Sequence, residues 1–91
     1  MKTGIELIAI ERQEQIEKHG WDLTRDQDYK NGELSDAAVF CLTLDDKIWP
    51  WNDEGIGTYF KRKIEAKSYQ ERVIISGAFC AAELDRLSYS I

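Results

Sequence analysis

Residues Asn31–Leu44, NGELSDAAVFCLTL, decide the fold. Leu34, Ala37, Ala38, Cys41 and Leu42 recur at helical spacing, and Val39, Phe40 and Leu44 widen that stripe almost all round, as in a helix buried on several sides. The pattern predicts a central helix over about 32–45. Glu33 and Asp36 stand three residues apart on its first turns and project from one side. Two readings are open for them: acids matched to the helix dipole, or ligands of a cation.

Upstream, Thr3 and Glu6 have the spacing of a capping box, and no helix breaker follows before Gly20, which predicts a helix over 4–19. Ile5, Ile8, Ala9 and Ile16 share one face, with Arg12 in the same stripe. Arg12 either lies at the rim or reaches a buried acid such as Glu33, Asp36 or Glu71. Gly20 is placed to stop the helix with Trp21 folded back over it, and His19 fits the helix dipole. The polar segment after it reads as a loop, and Asp22, Asp26 and Asp28 lack the glycine and glutamate of a calcium loop.

Downstream, Ser68–Glu71 is a second capping box and opens a helix over about 69–88. Ile74, Gly77, Ala78, Ala81 and Leu84 lie on one face of it. A glycine inside a helix costs about 1 kcal/mol against alanine, so Gly77 implies a close helix contact. The small residues Ala37, Ala38 and Cys41 match it, which predicts tight antiparallel packing of these two helices. The connection 46–67 holds the only proline, between Trp49 and Trp51. Those tryptophans either plug the open end of the core or form an aromatic contact surface for a planar ligand or a partner. A short helix near Tyr59–Glu65 would complete the bundle. No strand pattern or repeat is present, so the expected fold is a single all-α domain over 1–91.

Composition excludes several functions. The net charge of −5 opposes a nucleic-acid partner, and Lys61, Arg62 and Lys63 are the one tight basic cluster, a candidate for binding phosphate. Cys41 and Cys80 lie in apolar helical runs without metal-ligand spacing and read as reduced core thiols of a cytoplasmic protein. The N-terminus turns charged too soon for a secretory segment or a membrane span. At 91 residues the core is small, so a homodimer is expected.

The order ERQEQIEKHGW, NGELSDAA, WPW and ERVIISGAFCAAELDRL resembles a group of short bacteriophage and prophage proteins. That resemblance implies a small helical accessory protein, working in a bacterial cytoplasm by binding a protein partner without a complete catalytic site. More distantly, the chain is similar to the all-α nucleotide pyrophosphohydrolases of the MazG type, which hold Mg²⁺ against a nucleotide through paired acids on helices. By that likeness Glu33, Asp36 and Glu71 would be metal ligands, and Lys61, Arg62, Lys63 and Arg12 would meet phosphate. The second acid pair of that pattern is not matched, because Ile74 stands three residues after Glu71. The alternative is therefore a divergent Mg²⁺-dependent pyrophosphohydrolase, or a nucleotide-binding protein that has lost the chemistry.

Overall fold

The capping boxes at Thr3 and Ser68 open the first and last of the four helices among the described residues. These are α1 (Gly4–His19), α2 (Glu33–Thr43), α3 (Ile56–Glu65) and α4 (Tyr69–Tyr89). The structure, a computed structural model, describes residues 1–19, 29–52 and 55–89, and no strand occurs among them. At each box the hydroxyl and the carboxylate trade bonds with the opposite backbone N–H: Thr3 with Glu6 at 3.1 and 3.2 Å, Ser68 with Glu71 at 3.2 Å each way. Gly32 at φ 82 leads into α2, and Gly55 at φ 146 leads into α3, backbone conformations suited to glycine. The expected stop at Gly20, the fold-back of Trp21 and the acidic loop 22–28 lie outside the described residues.

The central helix stops two residues earlier than expected, at Thr43. Leu44 turns left-handed, at φ 57, while still donating to Phe40 O at 2.7 Å. Asp45 and Asp46 follow, anions that the negative end of a helix disfavours. Asp45 instead starts a turn, its N–H on Thr43 Oγ1 and its carboxylate accepting from Lys47 N–H. Because α2 has no basic residue in its last turn, the cation comes from α4, where Arg72 Nη1 donates to Cys41 O at 2.9 Å.

The α2 and α4 helices pack antiparallel, as their bonds show: Arg72 on Cys41 and, one turn on, Ser76 Oγ on Ala38 O at 2.8 Å. The core lies on one side of this pair. Leu34, Ala37, Phe40 and Cys41 of α2 meet Ile75, Phe79 and Ala82 of α4 there, with Ile64 of α3. Trp49 plugs the open end. It is 2% exposed, its ring centroid lies 5.0 Å from that of Phe40, and its Nε1 donates to Trp51 O at 2.7 Å. Trp51 packs against the same core, with Phe79 at 6.1 Å and Tyr29 at 5.1 Å. Trp49 is therefore core packing, as its reading as a plug expected, and no contact surface; Trp51 packs against Phe79 while keeping part of its surface exposed.

Gly77 is a close-approach position, but the helix it admits is α1. A Cβ there would stand 2.5 Å from Ile8 Cδ1 and 2.8 Å from Ile8 Cγ1. The buried side of α1 is therefore not the expected apolar stripe. Its most buried residues are Arg12 and Gln15, one and two turns on from Ile8, while Ile5 is 82% exposed and Ala9 is open. The expected face of α4 is also rotated. Ala78 is buried, but Leu84 is 64% exposed, because the core contacts fall on Ile75, Phe79 and Ala82. Cys41 is a buried thiol as expected, whereas Cys80 is exposed on the outer side of α4. The short third helix is longer than expected, at ten residues.

Candidate functional site

Antiparallel packing separates the acids that the sequence suggested as one metal site. Glu33 and Asp36 begin α2, beside the C-terminal half of α4, whereas Glu71 is next to Arg72, which bonds Cys41 near the other end of α2. Eight residues of helix from Glu33 to Cys41 span about 12 Å, well beyond the reach of one ion. Each acid has a local task. Glu33 Oε1 accepts from Asn31 N–H at 2.7 Å, and Asp36 is exposed. Glu71 caps α4, and the backbone N–H and hydroxyl of Ser68 hold its carboxyl below the usual carboxylate range. Among the described residues no group of three His, Cys, Asp or Glu side chains is placed to hold a metal ion.

The four cations suggested for phosphate do not form one site either. Arg12 is buried and pairs with Asp85 at 3.4 Å, on the far part of α4. Neither the rim position nor any of the three acids first considered is its place. Lys61 pairs with Asp46 at 3.0 Å, and Arg62 is exposed. Consecutive residues on a helix diverge, so only Lys63 turns towards the cleft described next.

That cleft, of about 290 Å³, lies between α1, α3 and the start of α4. Its floor is apolar: Phe60 and Ile64 of α3 with Ile75 and Phe79 of α4. Its walls are charged. Glu11, Glu14 and Lys18 come from α1, Lys63 from α3, and Lys67 from the turn into α4. Burial, and then the neighbouring Glu14, push the Glu11 carboxyl up, against the opposing pull of Lys67 and Lys18. Lys18 leans on Glu14 at 3.9 Å and Lys67 on Glu71 at 3.8 Å, both loose surface pairs of little strength. The ammonium of Lys63 lies 5.1 Å from the Tyr59 ring centroid and pairs with no carboxylate among the described residues.

Gln15 also lines this cleft, 2% exposed, and its buried Oε1 accepts no hydrogen bond. An unsatisfied buried acceptor costs about 1–3 kcal/mol. Sequence reasoning passed over Glu11, Gln15 and Lys18, although they sit at spacings of four and three on one helix face. The available signal was a polar run where an amphipathic helix should be apolar.

A second surface lies on the other side of the α2–α4 pair. Val39 and Leu42 of α2, with Tyr69, Val73, Cys80, Leu84 and Leu87 of α4, are all exposed, and helical periodicity puts them on the face away from Trp49. The α4 members recur at four, seven, four and three residues along its whole length, with no charged side chain in the stripe.

Together these features define a small all-α protein with a mixed-charge cleft and an uncovered apolar face. No protein family, curated protein or solved structure compared with the chain matches it. Among the described residues, no helix is long and apolar enough to cross a membrane.

Proposed function

We propose that the protein is a small helical accessory protein that works by binding protein chains through the apolar α2–α4 face, and that its occupant there is a second copy of the same chain. The uncovered stripe on α4 carries this reading. An exposed apolar stripe whose nearest cation, Arg72 over the Tyr69 ring, sits at one end, on a chain of −5 net charge, marks an interface. The stripe is also self-complementary. A twofold axis near its middle lays Leu84 and Leu87 of one protomer on Tyr69 and Val73 of its partner and buries no unpaired charge.

The area fits a weak, concentration-dependent association. The 21 residues of α4 run about 31 Å and the 11 of α2 about 16 Å, and at about 10 Å of width each they offer about 470 Å² per protomer. The pair then buries about 950 Å², the size of a transient interface. The order of the motifs ERQEQIEKHGW, NGELSDAA, WPW and AELDRL supports a phage or prophage setting and a bacterial cytoplasm. The pyrophosphohydrolase alternative needs Glu33, Asp36 and Glu71 around one ion, and no observation favours it.

Sedimentation velocity over about 1–200 µM tests the reading, because self-association depends on concentration. The wild type is expected to sediment as a dimer at the upper end, and Leu84→Glu as a monomer with unchanged far-UV circular dichroism. A wild type that stays monomeric throughout, or a folded Leu84→Glu that dimerises equally well, overturns it.

A further inference from the structure

Helix α3 turns Phe60 and Ile64 towards the core, and its geometry puts Tyr59, Arg62, Lys63 and Ala66 on the opposite side. All four are exposed. On a chain of −5 net charge, residues 59–67 hold four cations against one acid, Glu65. The negative end of a helix favours cations in its last turn, but it gives no reason for an aromatic ring among them. Tyr59 is 54% exposed, and its ring is held on two sides. It packs T-shaped on Phe60, with 5.5 Å between centroids, and the Lys63 ammonium lies 5.1 Å from its centroid. Lys61, on the flank of the helix, is committed to Asp46 at 3.0 Å, whereas Arg62 and Lys63 meet no carboxylate among the described residues.

Charge and length together narrow the partner. An anion gains from both cations, and the Arg62 fork can hold a carboxylate through two parallel N–H bonds. The cationic surface is short. Past it, Lys67 shares a hollow with Glu11 and Glu71, so a nucleic-acid strand or another long polyanion would run from the cations onto acids. A short peptide segment with two carboxylates ends where the cations end, and an apolar residue between them covers the tyrosine.

We propose that the Tyr59, Arg62 and Lys63 face of α3 docks a short acidic segment of a protein partner. One carboxylate meets the Arg62 guanidinium, another meets the Lys63 ammonium, and an apolar side chain lies against the Tyr59 ring. This face is apart from the α2–α4 stripe, so the docking does not rest on self-association.

The test titrates ¹⁵N-labelled protein with the capped peptide Asp-Glu-Phe-Glu-Asp, its amide counterpart Asn-Gln-Phe-Gln-Asn, and octathymidylate as the nucleic-acid alternative. Shifts along residues 59–67 that saturate by about 5 mM are expected with the acidic peptide, and at least about tenfold weaker binding with the other two. Arg62→Gln with Lys63→Gln should weaken the acidic peptide about tenfold. Lys63→Gln and Lys61→Gln change the net charge equally, but only the first removes a contact, so it alone should weaken binding, by about threefold. No saturation by the acidic peptide at that concentration, equal binding of the amide peptide, tighter binding of octathymidylate, or equal losses from Lys61→Gln and Lys63→Gln overturns the proposal.

Discussion

Gly77→Ala tests how α1 is seated on α4. In a bare helix the change gains about 1 kcal/mol, because glycine is that much worse than alanine in a helix interior. Here the new Cβ would lie 2.5 Å from Ile8 Cδ1 and 2.8 Å from Cγ1, roughly 1 Å inside comfortable carbon–carbon contact. The Cδ1 methyl can swing aside. Cγ1 moves only if Ile8 changes χ1, which a helix holds to one rotamer, so α1 has to shift and disturb the Arg12–Asp85 pair as well. Overpacking of this kind costs about 1–3 kcal/mol, which leaves a net loss of about 1 kcal/mol and a Tm lower by about 5 °C.

The diagnostic measurement is a double-mutant cycle with Ile8→Ala, read by urea unfolding at fixed protein concentration. Ile8 is half-buried, so its truncation alone should cost about 1–2 kcal/mol, below the range for full burial. In that background the alanine at 77 enters vacated space and recovers its helical gain of about 1 kcal/mol. The coupling between the two sites is therefore about 2 kcal/mol. If Gly77→Ala stabilises both backgrounds by the same amount, Ile8 does not sit on Gly77 and the seating of α1 is wrong.

Two further predictions concern titration and thiols. Glu71 has a lowered pKa, so its stabilisation is present above the ordinary value of 4.5 and is lost as pH falls through its folded value. Glu11 is raised, so its contribution is present below 4.5 and is lost as pH rises through its folded value. Thermal melts across this range should show that Ser68→Ala flattens the acid limb and that Glu11→Gln raises Tm at neutral pH. Parallel curves for Glu11→Gln and wild type above 4.5 would refute the assignment for Glu11. Burial pushes the Cys41 thiol up to about 12, so the native chain should take one maleimide, at Cys80, and a second only after denaturation. Labelling of Cys80 should slow as protein concentration rises, because it lies near the centre of the stripe that a second copy covers. A native Cys41 that labels as fast as Cys80 would show that the core around Phe40 is open.

What could be read from the sequence depended on range. The capping boxes at Thr3 and Ser68 are local, each closed within three residues, and both were legible. The α2–α4 contact was legible because Ala37, Ala38 and Cys41 on one helix leave room for another. Gly77 announced a close approach without naming the neighbour, since the sequence around it does not distinguish α1 from α2. The grouping of Glu33, Asp36 and Glu71 failed for a related reason. It required the register between two helices, and Arg72 on Cys41 sets a register that puts Glu71 at the wrong end. The cleft could not be read at all, because its walls come from three helices whose mutual placement no short spacing encodes.

The inward face of α1 sets how firmly that helix is held to the bundle. Ile8 fills a fitted notch on α4 at Gly77, while Ile5 stays in solvent and Arg12 and Gln15 take positions an apolar residue would serve better. The Arg12–Asp85 pair at 3.4 Å adds little to this docking, because Asp85 is more than half exposed. The burial that holds α1 to the bundle is therefore small, and the open oxygen of Gln15 subtracts from it. A sequence selected for stability alone would place leucine at position 15. Hydrogen-exchange protection along α1 should therefore fall below that of α2 and α4, which share the core of Leu34, Phe40, Trp49 and Phe79.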